Sequence, residues 1–229
     1  MMDIPGPALD VCAWMSQTRQ TFLLDLDGTL IDHFAAIHRA YVHTMRELGH
    51  PLPTLEQVRA AVGGGLDTAM RRFVMEDEQA QAMRIYRAYW NATMLDDVVL
   101  LPGASELLAA LQARGAKLAV LTNKLGSSSR LICEHLGISN FFTAVVGAQD
   151  TPWLKPQPEL TAQVLAQLGG SAATALMIGD SPFDIDTGHK ARMPAWCVTT
   201  GTHSATELRA AGADAVFADL AGLQAALFS

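Results

Sequence analysis

Two aspartates separated by a single residue follow the apolar segment TFLL near the start of the chain. Because side chains alternate across a strand, Asp25 and Asp27 point to the same face. Neighbouring like charges repel each other, so this spacing favours a cation site over an ordinary surface strand. Gly28 and Thr29 come next; glycine permits a sharp turn, and the backbone N–H groups of such a turn can face phosphate oxygens.

Short apolar segments alternate with helical patterns along most of the chain, which predicts a parallel sheet covered by helices on both faces. The predicted strands are residues 21–26, 117–121, 144–146, 175–178, 195–198 and 215–217. The predicted helices between and after them are residues 103–114, 126–136, 158–168, 185–191, 205–211 and 219–227.

Polar motifs stand at the ends of several of these strands or in loops. Thr122 and Asn123 follow the segment KLAVL, and Asp180 and Asp184 follow the segment ALMI. Lys155 lies between them in a loop and precedes a proline. Ligands of open parallel sheets bind at the carboxyl ends of the strands, so we expect these side chains to meet Asp25 there.

The first two motifs are too far apart for one strand–helix–strand unit. Asp25 and Thr122 are separated by 97 positions, whereas such a unit needs only about 30 residues. We therefore expect an insertion of about 60 residues between them. It shows little strand pattern, and its helical patterns cover residues 34–48, 55–61, 66–76 and 78–94.

These observations predict an α/β core formed by residues 21–32 and 99–229, interrupted by a helical cap at 33–98. Residues 1–20 are expected to form an N-terminal extension, to which the sequence assigns no function.

Composition narrows the range of partners. A net charge of −7 and a pI near 5.4 argue against a nucleic-acid or anionic-membrane surface, and no segment is long and apolar enough to span a bilayer. The three scattered cysteines, Cys12, Cys133 and Cys197, are expected to be reduced thiols of a cytoplasmic protein. The sequence leaves a monomer and a homodimer equally open.

The four motifs, in this order, resemble those of the haloacid dehalogenase-like hydrolase superfamily. The chain looks most like the phosphatases of the phosphoglycolate phosphatase type, from about residue 21 to its end. The resemblance implies a Rossmann-like three-layer α/β core with a parallel sheet, and a helical-bundle cap inserted after the first strand. It further implies Mg²⁺ as the cofactor and a small phosphorylated metabolite as the substrate, with 2-phosphoglycolate, sugar phosphates, nucleotides and an amino-sugar phosphate all open.

The resemblance also implies catalytic roles. Asp25 would attack phosphorus and form an aspartyl phosphate, and Asp27 would act as general acid and base, neutral while Asp25 is ionised. The Lys155 ammonium would neutralise phosphoryl charge and hold Asp25 ionised. The Thr122 hydroxyl would donate to the transferring phosphoryl group.

A family-like Mg²⁺ site would use Asp25, Asp180 and the backbone carbonyl of Asp27. Asp184 would be either a further ligand or a partner that orients the metal-bound waters. As an alternative, Asp184 is a carboxylate favoured by the dipole at a helix start.

Further residues are expected to bind the substrate. At the phosphate end these are Gly28, Thr29, Asn123 and Lys124. In the cap, Gly64 belongs to a run of three glycines that either places backbone donors over the substrate or simply connects two helices flexibly. Arg71, just beyond, is the cap cation expected to reach the substrate.

Two alternatives to a phosphatase remain. A sugar phosphomutase of the same superfamily would move phosphate between hydroxyls, although Thr29 favours hydrolysis because some mutases carry Val-Ile-type residues after the glycine. A non-catalytic binding or regulatory member would keep the fold alone. The second aspartate, Asp27, favours phosphate-ester chemistry over the C–P and C–halogen cleavage of other members.

Overall fold

A computed structural model describes residues 20–228 of the 229-residue chain. Its centre is a six-stranded parallel sheet in the order β5-β4-β1-β6-β7-β8. In chain order, the strands of the described residues are β1 (Thr21–Leu24), β2 (Ile31–Asp32), β3 (Val99–Leu100), β4 (Lys117–Leu125), β5 (Ala144–Ala148), β6 (Ala175–Gly179), β7 (Ala195–Val198) and β8 (Ala215–Phe217).

Helices cover both faces of the sheet, as the alternation of patterns predicted. Phe22 and Leu24 of β1 face one hydrophobic cluster, and Leu23, between them, faces the other. The helices of the core are α5 (Ala104–Ala113), α6 (Gly126–His135), α7 (Pro158–Leu168), α8 (Pro182–Lys190), α9 (Ala205–Ala210) and α10 (Leu220–Phe228). Helices α5, α6 and α10 contribute to the first cluster, and α7, α8 and α9 to the second, which gives the predicted three layers.

The helical insertion, residues 33–98, lies between β2 and β3, which pair antiparallel and bring its two ends together. Its helices are α1 (Phe34–Leu48), α2 (Leu55–Arg59), α3 (Leu66–Met70) and α4 (Gln79–Thr93). Helices α1 and α4 contact each other through aromatic rings: the centroids of Tyr41 and Tyr86 lie 5.1 Å apart, and those of His43 and Tyr89 lie 4.2 Å apart.

One contact joins the insertion to a core loop beside β7. Arg59, the last residue of α2, donates from Nη2 to the carbonyl of Gly201 (2.6 Å), and its guanidinium lies 4.2 Å from the centre of the Phe34 ring. The insertion is therefore fixed to the core at a point distant in sequence from its own ends.

Three predicted element bounds differ from the structure by three residues or more. The helix predicted at 66–76 ends at Met70, because Arg72 and Phe73 donate to carbonyls three residues back and the Phe73 ring packs on Tyr41, with centroids 4.9 Å apart. Strand β4 continues to Leu125, so Thr122 and Asn123 lie within it and not after it. Helix α8 begins at Pro182 and not at residue 185, because a capping box and a proline in the first turn start it earlier.

The division into a core of 21–32 and 99–229 and a cap of 33–98 stays a prediction. The predicted extension, residues 1–20, lies outside the described residues except for Gln20. Among the predicted thiols, Cys133 and Cys197 are buried and free, and Cys12 lies outside the described part of the chain. No helix within residues 20–228 is long and apolar enough to cross a membrane.

Two helical leucines test the assignment of the core. Leu107 of α5 is fully buried, whereas Leu131 of α6 is 48% exposed. We expect Leu107→Ala to lower the free energy of unfolding by about 2–5 kcal/mol, because it leaves a cavity. Leu131→Ala should change it by less than about 0.5 kcal/mol. Urea denaturation of both variants measures the difference, and equal losses would contradict the packing described.

Candidate active site

The carboxyl edge of the sheet gathers the polar motifs. Strands β4, β1 and β6 are neighbours; Thr122 lies in the first, Asp25 follows the second, and Asp180 follows the third. All three side chains are buried. The sequence motifs therefore meet at one place.

Lys155 reaches this edge from the loop before α7. Its Nζ lies 3.0 Å from Asp25 Oδ1 and 2.7 Å from Asp184 Oδ1. Burial alone would lower the pKa of Lys155, but the Asp184 and Asp25 carboxylates hold it above its usual range. The lysine is therefore a fixed positive charge between two carboxylates.

The Asn123 amide holds the backbone of Lys155 in place. Its Oδ1 accepts from the Lys155 N–H (2.8 Å), and its Nδ2 donates to the Lys155 carbonyl (3.1 Å). The same Nδ2 donates to the carbonyl of Gly63 in the helical insertion (2.9 Å). Asn123 thus joins the insertion to the loop of Lys155. In this structure its amide oxygen and nitrogen both form hydrogen bonds with backbone groups.

Three buried carboxylates form a cluster that suits a cation. Single oxygens of Asp25, Asp180 and Asp184 lie within 4.8 Å of one another. Burial raises the pKa of Asp25 to about 6 and that of Asp180 to about 8, and the Asp184 charge adds to both effects. Carboxylate oxygens are the donors that Mg²⁺ prefers, so the donor set fits the expected metal.

Neighbouring groups orient two members of this cluster. Asp180 accepts from the Thr29 hydroxyl at Oδ1 (3.2 Å) and from the Thr202 N–H at Oδ2 (2.8 Å). Asp184 Oδ2 accepts from the Asp180 N–H (3.2 Å) and from both the N–H (3.0 Å) and the hydroxyl (2.7 Å) of Ser181. Because Asp184 accepts three hydrogen bonds from Asp180 and Ser181, it is the carboxylate that fixes the loop of Asp180.

The turn after Asp27 requires glycine. Gly28 has a φ of +82°, and a Cβ there would lie 2.7 Å from the Cα of Gly201 and 2.8 Å from Asp180 Oδ2. Its carbonyl accepts from the Thr200 hydroxyl (2.7 Å). The backbone of this turn therefore packs directly on the Asp180 carboxylate.

Asp27 has a different environment from the cluster. Lys124 Nζ donates to both its oxygens (2.7 and 3.0 Å), and His33 Nδ1 lies 3.6 Å from Oδ1. Burial alone would raise the pKa of Asp27, but the Lys124 ammonium and His33 hold it well below its usual range. The expectation that Asp27 is the neutral member of the pair thus differs from this arrangement, in which Asp27 is the ionised one.

A cavity of about 680 Å³, including its open mouth, lies between the carboxyl edge and the helical insertion. Asp25 and Asp27 border it on the core side, and Tyr86, Arg87 and Trp90 of α4 border it on the other. The cavity thus places aromatic and arginine side chains of the insertion opposite the two aspartates.

The structure brings most predicted site residues to this cavity or its border. The carboxylates, Lys155 and the residues at the phosphate end lie together: Asp25, Asp27, Gly28, Thr29, Thr122, Asn123, Lys124, Asp180 and Asp184. Their individual roles stay predictions. Gly64 does not line the cavity; its Cα faces the Phe183 ring, while its neighbours Gly63 and Gly65 line it.

Arg71 lies elsewhere. It is exposed, and its Nε donates to Gln79 Oε1 (3.2 Å). The arginine of the insertion that borders the cavity is Arg87. Sequence reasoning could not choose between these arginines, because the path of the chain after Met70 decides which one faces inward.

Four other neighbours of the site were not found from the sequence. His33 shows no motif in the sequence, yet it is buried and its Nε2 donates to the Met94 carbonyl (2.6 Å). Tyr41 and Trp90 were part of an unassigned helical pattern. Thr202 follows a predicted strand, and the rule that ligands sit beyond carboxyl ends of strands was a signal that could have found it.

Comparison with known proteins identifies the family. Residues 22–198, more than half of the chain, match the family described as haloacid dehalogenase-like hydrolase. The chain belongs to this family, which confirms the interpretation of the four motifs and makes the protein a hydrolase.

Individual relatives agree with this assignment. The chain is 34% identical over 195 residues to a probable phosphatase, IndB, of Dickeya dadantii, covering 82% of this chain and 85% of that protein. It is 35% identical over 204 residues to a phosphoglycolate phosphatase of Caulobacter vibrioides, covering 86% and 85%. A crystal structure of a predicted phosphoglycolate phosphatase from Haemophilus somnus has a TM-score of 0.86 at 25% identity, covering 92% of this chain and 99% of that one. The predicted fold class is thereby confirmed.

Binding of Mg²⁺ to the carboxylate cluster is testable without any substrate. We expect Mg²⁺ to raise the thermal unfolding midpoint, with a gain of about 2.7 kcal/mol at a hundred times the dissociation constant. Asp180→Asn should remove most of this shift because it removes a charged ligand. Asp186→Asn is the matched control, since this carboxylate lies on the helix that follows Asp180 but pairs with Lys190 (3.3 Å) at the surface. Equal shifts in both variants would contradict the site.

Proposed function

We propose that the protein is a Mg²⁺-dependent phosphomonoesterase that hydrolyses a small organophosphate through an aspartyl phosphate on Asp25. The observation that carries this proposal is the pairing of two carboxylates in one cavity with opposite environments. Asp25 lies against Lys155 and the acidic cluster, and Asp27 lies against Lys124. Two such carboxylates can divide the work of nucleophile and proton carrier.

The first step is attack by Asp25. One of its carboxylate oxygens forms a bond to phosphorus as the bond from phosphorus to the leaving oxygen breaks. Lys155, 3.0 Å away, keeps Asp25 ionised and neutralises charge on the phosphoryl oxygens. The Thr122 hydroxyl accepts from the Lys124 N–H (3.3 Å), so its own hydrogen is available to donate to a phosphoryl oxygen.

Asp27 carries the protons. It gives a proton to the leaving oxygen in the first step and takes one from the attacking water in the second. The second step needs the ionised form, which is the form that Lys124 holds. The first step needs the protonated form, which Asp27 gains when it takes a proton from water in the second step of the preceding turnover. A phosphoryl group bound beside Lys124 would compete with Asp27 for this ammonium, which would help Asp27 to keep that proton.

A metal ion completes the charge balance of the site. We propose that Asp25, Asp180 and the backbone carbonyl of Asp27 hold Mg²⁺, with Asp184 fixing the loop of Asp180 through the hydrogen bonds described. When bound, Mg²⁺ would neutralise the repulsion between the carboxylates and the incoming phosphate.

The names of two of the relatives bring 2-phosphoglycolate into the set of candidate substrates. The predictions of a cytoplasmic protein, of no nucleic-acid or membrane partner and of a monomer or homodimer rest on the sequence alone.

Phosphate release tests the proposed function. We expect Mg²⁺-dependent release from small phosphate monoesters, abolished by a chelator. Asp25→Asn should lower kcat by at least about a thousandfold, because no covalent route remains, and Asp27→Asn by about 10²–10⁴-fold. Asp186→Asn, a surface carboxylate, is the control that should retain activity.

Three outcomes distinguish the alternatives. Release that survives Asp25→Asn would contradict the nucleophile. Isomerised ester with little free phosphate would favour a sugar phosphomutase. No turnover of any ester by a folded, Mg²⁺-stabilised protein would favour a non-catalytic member of the family.

A further inference from the structure

The cavity extends away from the reacting carboxylates into the helical insertion, and its far walls are apolar. Side chains from α1, α3, the turn between α2 and α3, and the end of β4 line it there: Ile37, Val62, Leu66, Ala69 and Leu125. The hydrogen bond from Asn123 to the Gly63 carbonyl holds the insertion against the core on one side of this space. Such walls stabilise an apolar ligand body and give no partner to a polar one.

Aromatic rings connect the catalytic end to the far end. Lys124 Nζ, which contacts Asp27, lies 4.6 Å from the centre of the Trp90 ring. Trp90 and Tyr86 are stacked with centroids 5.9 Å apart, and Tyr86 meets Tyr41 edge-on at 5.1 Å. All three rings border the cavity. A planar or apolar leaving group that extends from Asp27 into the insertion would therefore lie against aromatic faces.

Two polar groups border the far part of the cavity without a protein partner. Among residues 20–228, neither the Tyr41 hydroxyl nor the Arg87 Nε has a hydrogen-bond partner, and both atoms are buried. The Tyr41 side chain is only 1% exposed. Leaving a buried donor unsatisfied costs about 1–3 kcal/mol, and such groups in a cavity indicate a ligand that supplies the missing acceptor.

We propose, resting on the function proposed above, that the substrate's leaving alcohol has an apolar or aromatic body that ends in an anionic oxygen group. The phosphate lies at Asp25, the body lies along Trp90 and Tyr86, and the terminal group accepts hydrogen bonds from Tyr41 and Arg87. The preferred substrate class is therefore larger than 2-phosphoglycolate.

Glycolate fits this cavity poorly. It contributes only two carbon atoms, fewer than one aromatic ring, and would leave the apolar walls uncovered. An ester with a ring between its phosphate and its carboxylate would cover the apolar walls. It would also place the carboxylate at Tyr41 and Arg87.

Three phosphate esters measure separately what the apolar body and the terminal anionic group of the leaving alcohol contribute to kcat/KM. The full chain, loaded with Mg²⁺, is assayed with 4-carboxybenzyl phosphate, 4-methylbenzyl phosphate and 2-phosphoglycolate. We expect kcat/KM for the carboxybenzyl ester to exceed that for 2-phosphoglycolate by at least about tenfold because of its apolar body. It should exceed the methylbenzyl value by about ten- to a hundredfold because of the charged hydrogen bonds.

Variants test the two donors separately. Tyr41→Phe and Arg87→Met should each reduce the carboxybenzyl-to-methylbenzyl ratio of kcat/KM by at least about fivefold. A ratio within one variant is independent of the fraction that folds, so a destabilised protein still gives a valid result. Arg84→Met is the matched control, an exposed arginine on the same helix, and should leave the ratio unchanged.

The result can overturn this proposal independently of the phosphatase assignment. Hydrolysis with 2-phosphoglycolate preferred, or equal rates for the carboxybenzyl and methylbenzyl esters, overturns the substrate class while the phosphatase mechanism stands. A ratio unchanged in both Tyr41→Phe and Arg87→Met overturns the assigned donors. Absence of turnover with every ester, in a protein that Mg²⁺ still stabilises, overturns the proposed function and this inference with it.

Discussion

Four carboxylates and two ammonium groups are buried together at the carboxyl edge of the sheet, and the rest of the site depends on their balance. Asp25, Asp180 and Asp184 surround one region, Asp27 borders it, and Lys155 and Lys124 supply the cations. When all are ionised the group carries a formal charge of −2. Burial makes such an excess costly, and the raised pKa values of Asp25 and Asp180 report that cost. A divalent cation cancels this excess.

Residues that hold these charged groups in place also fix the helical insertion to the core. Asn123 fixes the Lys155 backbone and also binds the carbonyl of Gly63 in the insertion. Arg59, at the end of α2, binds the carbonyl of Gly201, whose neighbour Thr202 holds Asp180. Both of these links therefore involve a residue that orients a charged group, or its direct neighbour, so the position of the insertion and the geometry of the acidic cluster are coupled.

Much of the core was predictable from the sequence, because short apolar segments identify buried strands. Ligands of parallel sheets bind at the carboxyl ends of the strands, so locating a strand also locates its site residues. Apolar segments located β1 and β6, and so placed Asp25 and Asp180 at one edge. The insertion was less predictable, since its helices make contacts only after the chain has turned. Nothing local distinguishes exposed Arg71 from Arg87 at the cavity, and no spacing rule brings His33 to Asp27.

Trapping the covalent intermediate tests the central claim most directly. Borohydride reduces an acyl phosphate to the alcohol, so Asp25 should be recovered as homoserine in peptide mass spectra after quenching during turnover. We predict this conversion at Asp25 when both Mg²⁺ and a phosphate ester are present, and none when either is omitted. Conversion at Asp27, Asp180 or Asp184, or turnover without any reduced aspartate, would contradict the account.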